Sequence, residues 1–243
     1  MDPKAAYEST QVGAFAALVE DGTYSENFDH APRAQEFFNG VMSQVMNELA
    51  DTRQLRVLDC GCGNGAWLDF LVNTVSPGAG ETVFGYDLTP EMVDVARRRL
   101  SVSVPPENFQ VGNILESESY CFDGSGGLYE LIITYDVVQQ LPRKLQFEAC
   151  NSILQHLRPG GTAVIFDNDC KSAFGRRMGR RKFFTRYFGM KLVPQYYCNA
   201  HYPPLAKFAE QIAKKTNYTT EVLVSGNGMK RALIIRYRSS AAG

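Results

Sequence analysis

The sequence predicts an α/β domain built on a mostly parallel sheet, and three observations carry that reading. The first is the run Arg56-Val57-Leu58-Asp59-Cys60-Gly61-Cys62-Gly63-Asn64-Gly65-Ala66-Trp67-Leu68, where a short apolar strand passes into alternating glycines and then into a helical pattern. Glycines spaced this way let the backbone take positive φ and approach a ligand with no Cβ between them. The second is that further apolar runs, at 82–86, 109–111, 128–135 and 162–166, are separated by segments of helical period. The third is a hairpin signal near the end, where residues 218–224 and 231–237 alternate around Gly226-Asn227-Gly228. At 243 residues, 44% hydrophobic and 21% charged, the chain suits one globular domain spanning 1–243 with a full core.

Taken in order, residues 1–31 hold scattered aromatics with a weak period, which predicts short helices and loops. From Arg33 onward Ala34, Phe37, Phe38, Val41, Met42, Val45, Met46 and Leu49 form a helical stripe that must pack on something. After the glycine turn, Trp67, Leu68, Phe70 and Leu71 give the next helix a buried face, and Pro77-Gly78-Ala79-Gly80 breaks the chain. The second strand closes at Asp87. Thr89 is then an N-cap, with Pro90 at the first helical position and Arg97, Arg98 and Arg99 in the last turns, where cations suit the helix dipole. Residues 109–111 make a third strand, followed by a Glu-, Ser- and Gly-rich loop whose composition predicts exposure. The fourth strand, 128–135, leads through Asp136 and the Gln139-Gln140 pair to a helix at 143–157, with His156 as a helix-end cation or surface residue. Pro159-Gly160-Gly161 predicts a tight turn into the fifth strand.

Both acids at strand ends face the edge where an open α/β sheet binds ligands. Asp87 could accept both hydroxyls of a ribose, so a nucleoside is the ligand suggested. Gly61, Gly63 and Ala66, with Asp87 downstream, satisfy a loose dinucleotide pattern. A carboxylate at Asp59 has less use there, because the pyrophosphate that meets such a helix start is an anion. It suits a positively charged ligand group.

The fuller string Asp59-x-Gly61-x-Gly63-x-Gly65 resembles the first motif of class I S-adenosylmethionine-dependent methyltransferases, and the helix, Pro159-Gly160-Gly161, strand sequence is a second resemblance. Together with the terminal hairpin they extend over roughly 56–238. The resemblance implies a seven-stranded, mostly parallel sheet with helices on both faces, a C-terminal antiparallel hairpin, and an N-terminal helical lid at 1–52. It implies S-adenosylmethionine held by Asp59, Gly61, Gly63, Gly65, Asp87, Leu88, Met92, Asn113, Ile114 and Tyr135. Asn113 stands where the family commonly has Asp; an amide oxygen can accept the same hydrogen bond from an adenine amino group. The activity implied is methyl transfer to an oxygen or nitrogen of a small molecule. The alternatives are an RNA or protein methyltransferase, a nicotinamide-dependent oxidoreductase, and a binding module without the reaction.

For the acceptor, the resemblance makes Tyr24 and Phe28 lid candidates, and Asp136 and Gln140 leave the fourth strand where the methyl group would wait. An insertion at 167–207 adds Lys171, Arg176, Arg177, Arg180, Arg181, Lys182, Arg186 and Lys191 with no acid from 171 to 191, interleaved with aromatics and followed by Tyr197. Arg176, Arg180, Arg181 and Tyr197 are expected to contact an acceptor carrying carboxylate or phosphate. Glutamines cannot act as bases near neutral pH, which leaves His201 and His30 as candidates. The six cysteines, with no secretory pattern at Met1-Asp2-Pro3-Lys4, read as free thiols, and no metal-ligand spacing accompanies them. A net charge of -1 argues against binding nucleic acid through the overall field. No apolar run approaches a membrane span, so the expectation is a cytoplasmic protein with no membrane partner.

Overall fold

A computed structural model of the chain describes residues 3–20, 32–49, 55–75, 82–122, 127–192 and 199–239. Their elements are α1 (Pro3–Glu20), α2 (Pro32–Glu48), β1 (Val57–Cys60), α3 (Ala66–Phe70, continued by wider turns over Leu71–Val75), β2 (Val83–Asp87), α4 (Pro90–Arg99), β3 (Phe109–Val111), β4 (Tyr129–Tyr135), α5 (Gln146–Gln155), β5 (Leu157–Asn168), α6 (Ala173–Phe188), α7 (Leu205–Ala213), β6 (Tyr218–Val224) and β7 (Lys230–Tyr237).

The strands form one seven-stranded sheet in the order β3-β2-β1-β4-β5-β7-β6. β1 to β5 are parallel, while β7 runs antiparallel to both β5 and β6. Successive side chains of a strand point to opposite faces, and here both faces are covered. On one face Leu58, Ile132, Ile165 and Ile235 pack against Ala149, Cys150 and Ile153 of α5 and Leu205, Phe208 and Ile212 of α7. On the other, Val57, Val83, Leu131, Ile133 and Val164 meet Phe38, Met42 and Val45 of α2, Leu68 of α3 and Val93 of α4. Strands enclosed on both sides read as continuous apolar runs, which is why β4 was legible in the sequence.

Three expectations need correction. Residues 3–20 form one helix of 18 residues rather than short pieces; its apolar residues are spread round the helix, so it showed no clean period. The Pro159-Gly160-Gly161 segment is the irregular beginning of β5 rather than a turn, with a register shift against β4 between Tyr129 and Leu131. The loop after β3 is not wholly exposed. Tyr120 is fully buried, donates to the Ile114 carbonyl at 3.0 Å, and stacks on His156 at a ring separation of 4.0 Å. His156 is thus a buried residue, tied to the Gly127 carbonyl at 2.8 Å, and burial pulls its pKa down. The ring is neutral at pH 7 and serves packing.

Candidate active site

The site begins where β1 ends. Gly61, Gly63 and Gly65 all have positive φ, at 78°, 53° and 79°. A Cβ at Gly61 would stand 2.4 Å from Val137 Cγ2, and one at Gly65 3.2 Å from the Ala96 backbone, so the turn needs glycine for close approach as well as for φ. The amides of Gly61 and Cys62 both donate to the Tyr86 carbonyl at 2.8 Å, which pins the turn to β2. Asp87, at the end of β2, accepts from the Gly63 and Thr89 amides at 2.9 Å each. It therefore locks the glycine turn to the start of α4. Each carboxylate oxygen retains a lone pair for a further donor.

Asp59 is almost wholly buried behind this turn, and its Oδ1 has no hydrogen-bond partner among the described residues. Burial, reinforced by the neighbouring charge of Asp87, pushes its pKa up to about 8. A buried carboxyl without a partner is costly, and a cation set nearby would favour its ionised form. Asp87 is likewise raised by burial, though the amides of Thr89 and Gly63 oppose the shift.

A cavity of about 370 Å³ opens over these groups. One end is bounded by Gly61, Gly63, Asp87, Leu88, Met92, Asn113 and Ile114, all expected at a cofactor site. Tyr135 also lines it, stacked on Trp67 at 4.0 Å. Asp59 and Gly65 lie behind the wall rather than in it. Asn113 uses its amide oxygen to accept from Leu115 at 3.0 Å, and its amide nitrogen donates to Glu8 of α1 at 2.7 Å. The N-terminal helices do border the cavity, through Tyr7, Gln11 and Phe15 of α1 and Arg33, Ala34 and Phe37 of α2. Burial, with Asp87 and Glu8 adding to it, raises the Tyr7 pKa, so its hydroxyl stays protonated. The resemblance implied a helical lid at 1–52, but α1 lacks a period, so the sequence did not single out Tyr7, Gln11 or Phe15 as its inward residues. The lid candidates Tyr24 and Phe28 and the base candidate His30 lie outside the described residues, as does Tyr197.

The opposite end is polar. Asp136 has φ 61°, the one described non-glycine residue with positive φ, and its amide donates to the Phe166 carbonyl at 2.9 Å. Its carboxylate pairs with the Lys230 ammonium and accepts from Gln139 Nε2 at 2.8 Å. Gln139 Oε1 in turn accepts from Asn168 Nδ2 at 3.0 Å, and the Lys230 ammonium lies 4.6 Å from the centre of the Tyr135 ring. Asp136, Gln139, Gln140, Asn168, Ser225, Asn227 and Lys230 all line the cavity. Asp136 and Gln140 were expected here. Lys230 and the Ser225–Asn227 loop were not, because only the antiparallel return of β7 beside β5 brings the hairpin to this edge. The nearby Asp167, at the end of β5, is fully buried and its pKa is raised chiefly by burial, then by Asp136, with Lys230 opposing.

Three expected acceptor contacts and one base candidate fall elsewhere. Arg176, Arg180 and Arg181 are exposed on α6 and do not line the cavity; Phe174, in the first turn of that helix, does. Residues 173–188 of the insertion form one helix, and its arginines are exposed outside the wall. The imidazole of His201 is also absent from the lining. Its main chain is what matters locally: its amide donates to the Gln139 carbonyl at 2.5 Å, and its carbonyl accepts from Gln146. Burial lowers the His201 pKa, as do Arg143, Lys182 and Arg186.

Residues 57–161 match the methyltransferase domain family. That segment carries an S-adenosylmethionine-dependent methyltransferase domain. A curated relative, the ubiquinone biosynthesis O-methyltransferase of Rickettsia canadensis, is 24% identical over 125 residues, which cover 51% of this chain and 48% of the relative. The match thus spans about half the length of that protein. Magnesium protoporphyrin IX methyltransferase from Synechocystis PCC 6803, solved with bound S-adenosylhomocysteine, has the same fold: TM-score 0.60, 18% identity, 88% of each chain covered. The plantazolicin methyltransferase BpumL, also in complex with S-adenosylhomocysteine, gives 0.61 at 15% identity, covering 97% of this chain and 98% of that one. In this methyltransferase fold the glycine turn, Asp87 and the wall from Met92 to Ile114 occupy the carboxyl edge of β1, β2 and β3, and the polar end lies over β4, β5 and β7.

Proposed function

We propose that this methyltransferase transfers a methyl group from S-adenosylmethionine to an oxygen or nitrogen of a small molecule bound at the polar end of the cavity. The observation that carries the reading is that one cavity joins the glycine turn and Asp87 to the Asp136–Lys230 pair. The residues fit the cofactor: a Cβ would fill the cradle at Gly61, and Asp59 is a buried carboxyl whose Oδ1 has no partner among the described residues, suited to a nearby positive charge. When bound, S-adenosylmethionine supplies a methyl group already activated by its positive sulfur.

The protein's remaining work is to bind and orient. Asp87 accepts from the ribose hydroxyls, the buried thioether of Met92 packs on the base, and α1 with α2 excludes water from above. At the other end Asp136 and Lys230 offer one acceptor and one donor site side by side. An acceptor with a hydroxyl or amine next to an anionic or carbonyl oxygen would satisfy both, its proton held by Asp136 and its oxygen by Lys230. Such positioning matters more than strong base catalysis when the transferred carbon is already activated.

Calorimetric titration with S-adenosylhomocysteine and NAD, followed by mass spectrometry of products from an acceptor library, tests this. Binding of the former alone, with a methyl appearing on a small hydroxylated or amino compound, is the expected result. NAD binding at the turn would overturn the cofactor assignment, and labelled methyl in RNA or protein would overturn the acceptor.

A further inference from the structure

The basic, aromatic helix α6 takes no part in the cavity beyond Phe174, yet its arrangement is specific. One side is anchored: Met178 packs with Ala200 and Tyr202, and Lys182 donates to the Ala200 carbonyl at 2.6 Å while lying 4.1 Å from the centre of the Tyr202 ring. At its root, a Cβ on Gly175 would come within 2.2 Å of the Asp169 carbonyl, so the helix leaves β5 in close backbone contact. Its far end projects apolar side chains. Phe183, Phe184, Tyr187 and Phe188 are 42–68% exposed, and Met190 and Leu192 continue the patch. These are six of the ten large hydrophobic residues exposed among the described ones, so the exposure is concentrated here rather than scattered. Contiguous apolar patches of this kind mark interaction surfaces.

Helical spacing puts Arg176, Arg177, Arg180 and Arg181 on the same side as these rings, one to three turns nearer the body. No acid lies between Lys171 and Lys191 in a chain whose net charge is -1. The aromatics therefore form a tip and the arginines a collar behind it. We propose that this helix docks the protein on an anionic lipid bilayer, the rings entering the interface and the guanidinium groups meeting the headgroups. Aromatic side chains favour the membrane–water interface, a partly inserted basic helix binds through apolar area plus attraction to anionic lipid, and long cationic side chains reach back to the polar layer.

The rings argue for lipid over RNA. They pack on one another in one edge-on and three tilted pairs, with centroids 4.9–6.1 Å apart, as a single cluster. Stacked bases would need separate open faces. The expectation of no membrane partner came from the lack of a spanning segment, and indeed no helix among the described residues is long and apolar enough to cross. A surface helix needs no such length.

Flotation of the full chain with vesicles of phosphatidylcholine, with and without phosphatidylglycerol, tests the proposal independently of any acceptor. The chain should float with the anionic vesicles and not with the neutral ones. Phe184→Ser with Phe188→Ser should lower the partition at least tenfold. Arg180→Ala with Arg181→Ala should lower it by roughly twenty-five-fold, about fivefold for each cation lost. S-adenosylhomocysteine affinity should stay within twofold in both variants, which separates loss of docking from loss of folding. No flotation with anionic vesicles, or flotation unchanged in both variants, would overturn it. Tighter binding to a structured RNA, weakened by the same arginine changes, would assign the surface to nucleic acid instead.

Discussion

Asp59 and Asp87 are both acids at strand ends beside the same glycine turn, and their surroundings give them different work. Asp87 is held by two amides and keeps lone pairs facing the cavity, so Asp87→Ala should remove charge-assisted hydrogen bonds worth about 1.5–3 kcal/mol. Calorimetry should show S-adenosylhomocysteine affinity down at least tenfold; unchanged affinity would place the ribose elsewhere. Asp59 has an unpartnered oxygen and a pKa pushed up to about 8 against about 4 in an unfolded chain. Between those values the folded state keeps a proton that the unfolded chain has lost. Its contribution to stability is therefore complete below about pH 4 and is lost as pH rises through about 8. Asp59→Asn should lose less melting temperature than the wild type between pH 5 and pH 8, although Asp87 and Asp167 slope the same way and remain. Equal losses in the two proteins would mean that Asp59 is already ionised.

At the scale of elements, the glycine turn and the hairpin loop work as opposed walls. Gly61 needs both its positive φ and its bare α-carbon, given the 2.4 Å approach of a would-be Cβ to Val137. Gly61→Ala should destabilise the fold by about 1–3 kcal/mol and weaken cofactor binding, because Val137 can retreat only by moving the segment that carries Asp136. A melting temperature within a degree of the wild type would show that the turn yields freely. Lys230, at the start of β7, reaches Asp136 from across the sheet. Lys230→Met leaves that carboxylate without its cation, and acceptor turnover should fall at least tenfold with cofactor affinity nearly unchanged. A loss confined to cofactor affinity would move Lys230 out of the acceptor's reach.

For the molecule as a whole, α1 is the element that makes the cavity a cavity. It adds Tyr7, Gln11 and Phe15 to the wall and ties itself to the β3 side through the Glu8–Asn113 hydrogen bond and the Lys4–Glu116 ion pair at 2.9 Å. The seven strands pair with one another and not with it. A chain beginning at residue 32 should keep its far-ultraviolet circular dichroism, less one helix, and a cooperative melt. Its cofactor affinity should fall at least tenfold. Retained affinity in the shortened chain would reduce α1 to decoration.

What the sequence determined by itself were the features made by neighbours in the chain. Strands β1 to β5 follow from apolar runs, the glycine turn from its spacing, the start of α4 from Thr89-Pro90, and the final hairpin from alternation around Gly226-Asn227-Gly228. Each depends on periods of two or 3.6 residues or on the φ that a residue type permits, all of which are local. The end of the cavity at the glycine turn was legible for the same reason, since Asp87, Met92 and Asn113 sit just past strand ends in an order the topology fixes. The polar end was not. Lys230 meets Asp136 across 94 residues only because β7 returns antiparallel beside β5. The arginines of α6 matched an anionic acceptor in charge, but only the folded arrangement shows that they line no part of the cavity. The same holds for α1, whose even spread of apolar residues gave no inward face, so that only tertiary contact shows which of its residues border the cavity. Charge and residue type are written in the chain, whereas which groups share a cavity depends on distances that only packing sets.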